Sequence, residues 1–196
     1  MSEVQPNWLL CGGIGSGKSV VRKLFEVHGL STIDADSVGH EVIQTGGAGV
    51  AAVSKAWPEV VVGGEIDRKE LGAIVFADPA ALAKLEGITH PHIFALIEER
   101  LSSLALPVVV EIPLLVQPFS GSWRRIVVDT TDDLRLERAV ARGLEEKEAL
   151  RRMASQPSRQ QWLAAADLVV PNSGSIEDLE EATAGIVEVV RGSIGG

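Results

Sequence analysis

The chain has 196 residues, 45% hydrophobic and 23% charged, with a formal net charge of −9, the balance of an ordinary globular protein with one α/β core. So acidic a chain is a poor candidate for general nucleic-acid binding, which works by neutralising many phosphates. Its one cysteine, Cys11, excludes an internal disulfide and a cysteine-based metal site, no apolar run approaches the roughly 18 residues of a membrane helix, and no secretory signal is read at the N-terminus, so no membrane partner and a cytoplasmic setting are expected.

Trp8 to Cys11 is a short apolar run that predicts a buried strand. It leads into Gly12-Gly13-Ile14-Gly15-Ser16-Gly17-Lys18-Ser19, which fits G-x-x-x-x-G-K-[ST] with no mismatch. Helical spacing follows, with Val20, Val21, Leu24 and Val27 apolar and Gly29 as a stop. Strand, glycine loop and helix in this order form a phosphate-binding loop. Glycines let successive backbone N–H groups curl around an anion, and the helix N-terminus adds unpaired N–H groups and its dipole. Lys18 is expected to reach the β- and γ-phosphates of ATP, and the Ser19 hydroxyl to ligate Mg²⁺. The ATP-binding set is then Gly13, Ile14, Gly15, Ser16, Gly17, Lys18, Ser19 and Val20.

Leu30 to Ile33 predicts a second strand, ending at Asp34-Ala35-Asp36. Sites in open α/β sheets form at the carboxyl ends of strands. On an extended segment the two carboxylates point the same way. One of them could orient or deprotonate an acceptor hydroxyl, or one could N-cap the helix beginning near Ser37; the spacing leaves both open.

From Ser37 to about Ala105 helical patterns dominate, with loops at Gly46-Gly47 and Gly63-Gly64. Asp78 and Pro79 can open one helix. His90-Pro91-His92 is read as the start of another, with Pro91 in its first turn and Ile93, Leu96, Ile97, Leu101 and Leu104 as its apolar stripe. Without a third ligand nearby, these histidines do not make a metal site.

Strand signals return at Pro107 to Ile112 and Arg125 to Asp129, β-branched runs suited to a parallel sheet buried on both faces. Glu111 ends the Val108-Val109-Val110 strand within the first of them, a common place for a carboxylate that holds Mg²⁺ directly or through water. Helices are expected from Asp132 to Arg142 and from about Glu145 to Ser155, then a last strand at Asp167 to Val170. Ser175 to Asp178 reads as a capping box opening a C-terminal helix. The alternation of strands and helices argues for one doubly wound α/β domain.

The motifs closely resemble those of bacterial dephospho-coenzyme A kinases over about residues 7 to 190. The loop corresponds to the family's T-G-G-I-G-S-G-K-S, with Cys11 in place of threonine, and Ile33-Asp34-Ala35-Asp36 to its I-D-A-D. Ile66-Asp67-Arg68, Val75-Phe76, His90-Pro91, Ile112-Pro113-Leu114-Leu115, Arg138, Arg142, Gln156, Arg159, Ala166-Asp167 and Asn172-Ser173-Gly174 follow in the family's order. Gln117 stands where many members have glutamate, and Arg135 where glutamine is frequent.

The resemblance implies an α/β fold: a P-loop kinase core with a five-stranded parallel sheet flanked by helices, a helical substrate-binding insertion and a small mobile lid. The expected ranges are about 1–36, 105–140 and 165–196 for the core, 37–104 for the insertion and 141–164 for the lid. It implies transfer of the ATP γ-phosphoryl to the 3′-hydroxyl of dephospho-coenzyme A, the last step of coenzyme A synthesis. Asp36 would be the base, supported by Asp34; Lys18 and Arg142 would stabilise the transferred phosphoryl; Asn172 would lie near adenine; Asp34, Asp36, His90, Pro113 and Leu114 would meet the acceptor. Ser19 and Glu111 would serve the metal. A monomer is expected. A kinase for another small acceptor, such as a nucleoside monophosphate, would share the loop and lid. A slow nucleotide switch is disfavoured, since no N-K-x-D motif is present.

Overall fold

The computed structural model describes residues 6–115 and 118–192. The chain divides into two compact units, Met1–Ile33 with Leu104–Gly196, and Asp34–Ser103. The first begins with β1 (Asn7–Cys11), α1 (Lys18–Val27) and β2 (Ser31–Asp34). The second holds α2 (Ala35–Ile43), α3 (Val50–Ala56), a 3₁₀ turn (Pro58–Val60), β3 (Val61–Val62), β4 (Glu65–Ile66), α4 (Arg68–Ala77) and α5 (Pro79–Leu101). The chain then supplies β5 (Val108–Glu111), β6 (Trp123–Asp129), α6 (Asp132–Ala141), α7 (Glu146–Ala154), α8 (Arg159–Ala164), β7 (Leu168–Pro171) and α9 (Ile176–Gly192).

A five-stranded parallel sheet in the order β2-β5-β1-β6-β7 organises the first unit. β1 is central, with Leu9 opposite Val110 on one side and Arg125 on the other. A strand covered on both faces needs apolar residues throughout, and Trp8, Leu9, Leu10 and Cys11 are all buried. Helices α1 and α9 pack against this sheet through Val21, Phe25, Val187 and Val190, meeting Trp8 and Ile126 in one core. Full burial of side chains of this size contributes roughly 1.5–3 kcal/mol each. Because the strands are parallel, the glycine loop after β1, Glu111 at the end of β5, Asp129 at the end of β6 and Asn172 just after β7 share one edge. The expected capping box holds: the Ser175 hydroxyl accepts from Asp178 N at 3.2 Å while Asp178 accepts from Ser175 N at 2.8 Å.

The second unit has a small core of its own, Val53, Trp57, Val60, Leu71 and Val75. The Lys84 ammonium lies 4.7 Å from the Trp57 ring centroid. Asp67 and Asp78 cap α4 and α5 with their side chains. Arg100 pairs with Glu41.

Three sequence expectations need correction. Pro91 does not open a helix: it lies inside the 23-residue α5, which starts at Pro79. A proline there leaves the carbonyl of Gly87, four residues back, without its donor, and the surrounding helix forms regardless. The Gly63-Gly64 pair is not only a loop between helices. Both glycines have positive φ (61° and 89°) and turn an antiparallel hairpin of β3 with β4. Asp36 is not on an extended segment, because α2 already begins at Ala35.

Candidate active site

The glycine loop leaves the buried end of β1 and delivers the N-terminus of α1 to the sheet edge. Gly17 is the N-cap at φ 99°, no side chain caps the helix, and no acid stands in its first turn. A ten-residue helix that starts this way keeps its N–H groups and dipole for an anion. The Lys18 ammonium folds back on the loop, donating to the carbonyls of Gly12 at 3.0 Å and Gly13 at 3.3 Å. Two of the glycines are required by packing as well as backbone. A Cβ on Gly15, at φ 77°, would overlap the Arg135 carbonyl, and one on Gly17 would overlap the Asn172 amide.

Ser19 and Glu111 meet as the sequence suggested. The Ser19 hydroxyl donates to Glu111 Oε1 at 2.8 Å, and Arg22 Nε donates to Oε2 at 2.8 Å. A hydroxyl and a carboxylate side by side are hard oxygen donors, the chemistry Mg²⁺ prefers. That cation usually takes one or two protein ligands and completes its shell with phosphate and water. No cluster of three or more His, Cys, Asp or Glu suited to a metal occurs among the described residues. Arg22 lies three residues beyond Ser19 on one helix, so its place on the same face was readable from spacing.

Asn172 is buried and tied on three sides. Its N–H donates to Asp129 O at 2.7 Å, its side-chain amide to Ser16 O at 2.7 Å, and its own carbonyl accepts from Arg138 Nη1 at 3.0 Å. It thus braces the glycine loop from the far side of the sheet edge. It also lines, with Gly17, Val20, Arg138, Arg142, Ser175 and Ile176, an open cavity of about 220 Å³ beside the α1 N-terminus. Arg142 is exposed at the C-cap of α6.

Residues after α7 return to the loop. Gln156 Oε1 accepts from Ile14 N at 2.8 Å, so that N–H is engaged by a side chain. Arg159 forms two bonds to Asp129, at 2.8 and 2.7 Å, and these bonds and the Asp129 charge hold its pKa above the ordinary arginine value. Arg135, given no role on sequence grounds, is buried: its Nε donates to Ile14 O at 3.0 Å and Nη1 to Asp132 at 2.8 Å. Nothing local in the sequence marks a contact spanning 121 residues.

Asp34, Asp36 and His90 fall at or within the second unit. Asp34 is the N-cap of α2, accepting from Asp36 N at 3.0 Å and Ser37 N at 3.2 Å. That leaves Asp36 in the first helical turn with an exposed side chain. His90 is half-buried in mid-helix, its ring 5.3 Å from Phe94. Pro113 and Leu114, in the first unit, are half-buried, and the Leu114 carbonyl accepts from the Cys11 thiol at 3.4 Å. Burial pushes that thiol up to about 11, against the smaller pull of Arg125 and Lys18, so Cys11 is a packing residue rather than a nucleophile. Gln117 lies outside the described residues.

With this geometry in place, comparison with known proteins identifies its relatives. Residues 9–178 match the family model for dephospho-CoA kinase. The dephospho-CoA kinase of Frankia casuarinae is 43% identical over 177 residues, covering 87% of this chain and 77% of that one. That of Streptomyces avermitilis is 42% identical over 178 residues, covering 87% of each. The solved dephospho-CoA kinase from Campylobacter jejuni superposes with a TM-score of 0.69 at 28% identity, over 95% of this chain and 98% of that one.

Proposed function

The chain belongs to the dephospho-CoA kinase family, and from that premise we propose how its residues divide the work of moving the ATP γ-phosphoryl onto the 3′-hydroxyl of dephospho-coenzyme A. The observation that carries this reading is the uncapped N-terminus of α1 with Lys18 in its first turn and the Ser19–Glu111 oxygen pair beside it. Phosphoryl transfer asks little covalent chemistry of a protein; it asks for positioning and for charge where charge develops.

The N–H groups from Gly15 to Ser19 receive the β- and γ-phosphates. Lys18 leaves the carbonyls of Gly12 and Gly13, which hold it only as a neutral acceptor can, for the stronger charged partner. Ser19 and Glu111 would hold Mg²⁺, with Arg22 keeping the carboxylate oriented. Bound there, the cation would neutralise phosphate charge and favour the leaving diphosphate. Adenine occupies the cavity between Arg142 and Asn172. Asp36 takes the proton from the 3′-hydroxyl as its oxygen bonds to phosphorus and the bond to the β-phosphate oxygen breaks, so that ADP leaves. Arg142 stabilises the charge on the transferred group. Pro113, Leu114 and His90 contact the acceptor. This part of the assignment rests on the family motif. A monomer working in the cytoplasm, where ATP is regenerated, belongs to the same proposal.

The test is ADP release with ATP and Mg²⁺, comparing dephospho-coenzyme A, adenosine, AMP and no acceptor, with product mass checked. Release with dephospho-coenzyme A alone, giving a product one phosphate heavier, is expected. Release that follows AMP, or that ignores every acceptor, overturns the acceptor assignment and leaves the nucleotide site standing.

A further inference from the structure

The peptide groups flanking Ile14 are gripped on both sides by residues more than a hundred positions away. Gln156 Oε1 accepts from Ile14 N at 2.8 Å, and Arg135 Nε donates to Ile14 O at 3.0 Å. The two side chains also meet each other, Arg135 Nη2 donating to the same Gln156 oxygen at 3.3 Å, and Asp132 fixes the guanidinium from its other end at 2.8 Å. The Arg135 side chain is 5% exposed. Its guanidinium lies so close over Gly13 that a Cβ there would overlap it, and its carbonyl presses on Gly15 in the same way.

Burying a guanidinium requires its donors to be used, because an unpaired buried charge is strongly unfavourable. Here the donors go to the loop and to the two residues, Asp132 and Gln156, that flank its approach to it. The arrangement over-determines one peptide conformation at Ile14, immediately before the N–H groups that receive phosphate. Gln156 itself stands directly after α7, its N–H bonded to Met153 O at 3.2 Å, so displacement of that helix is felt at Ile14.

We propose that Arg135 and Gln156 form a positioning clamp that sets the aim of the phosphate loop and ties it to the segment carrying α7. Neither side chain needs to touch ATP; both act through the Ile14 backbone. The inference rests on the nucleotide-site reading above, but not on the identity of the acceptor. A loop misaligned by a fraction of an ångström still offers its N–H groups, but no longer where the transferring phosphoryl needs them.

The experiment compares wild type with Arg135→Met, Gln156→Met and the double variant. MgATP affinity is read by equilibrium titration without acceptor, kcat and both KM values by ADP release, and melting temperature by calorimetry. Each single variant should weaken MgATP or lower kcat so that kcat/KM for ATP falls about tenfold or more, with KM for dephospho-coenzyme A unchanged. The double variant should lose little beyond the worse single, because both act on one peptide. Arg135→Lys should not rescue, since a single ammonium cannot serve Ile14, Gln156 and Asp132 together. Unchanged MgATP affinity and kcat with only a lower melting temperature overturns the clamp, as do fully additive losses. Should Arg135→Met fail to fold, the partly exposed Gln156→Met decides between the same outcomes. A wild type that binds MgATP yet ignores dephospho-coenzyme A sinks the acceptor reading and leaves the titration arm decisive for the clamp.

Discussion

At the scale of single residues, the Asp34-Ala35-Asp36 motif is divided by helix capping. Asp34 accepts the N–H groups of Asp36 and Ser37 and a bond from the Ser37 hydroxyl at 3.2 Å, which commits its carboxylate to α2. Asp36, at the second helical position and exposed, is the carboxylate proposed to meet the acceptor. The two substitutions should therefore separate. Asp36→Asn should lower kcat by about a hundredfold or more, the range of general-base contributions, with MgATP affinity within about twofold and the melting temperature nearly unchanged. Asp34→Ala should show its effect first in stability, by about 1 kcal/mol for the lost cap. Steady-state kinetics beside thermal melts reads both. Full activity in Asp36→Asn would remove the base assignment and return attention to Asp34. Spacing left this division open because an i, i+2 pair looks alike on a strand and across a helix cap; the onset of α2 at Ala35 shows which carboxylate caps the helix.

Elements were legible where the sequence carries their punctuation. β1, the glycine loop and α1 were readable because the loop motif fixes all three at once, and β5 through its unbroken Val108-Val109-Val110 run. The continuity of α5 through Pro91 was not readable, because a proline is stronger evidence of a helix start than of an interior, and burial of Thr89 and Ile97 along one helix is a tertiary matter. β3 and β4, two residues each, are too short to show alternation, though the paired glycines between them were a hairpin signal. α8 is short enough to pass for loop although Ser158 and Gln161 form a full capping box at its start. The braces on the loop from Asn172, Arg135 and Gln156 were illegible for a different reason: they join residues distant in sequence and need the folded sheet edge. One consequence is testable at the level of the loop. Gly15→Ala meets both an unfavourable φ of 77° and the Arg135 carbonyl, so the loop must shift against α6. MgATP affinity should fall more than about tenfold, with strain of about 1–3 kcal/mol appearing in the melt. Wild-type affinity in that variant would mean the loop moves freely of α6.

Over the whole molecule, a chain of net charge −9 binds two polyanionic substrates, so attraction must be local. The groups proposed to supply it, the α1 N-terminus, Lys18 and Arg142, lie within one unit, while the second unit keeps a separate core around Trp57, Val60 and Leu71. Ligand that binds only the folded state stabilises it by about 2.7 kcal/mol at a hundred times its Kd. For a chain of this length each kcal/mol raises the melting temperature by roughly 2–4 °C, so saturating MgATP should raise it by about 5–10 °C. Because every group proposed to hold ATP lies in the first unit, the added hydrogen-exchange protection should concentrate in β1, α1, β5 and β6. The amides of α4 and α5 open around their own core and should change little. Calorimetry and residue-resolved exchange, with and without MgATP, check both parts. Equal protection across α4 and α5 would mean that the two cores open as one, and that the nucleotide's stabilisation extends beyond the unit that holds it.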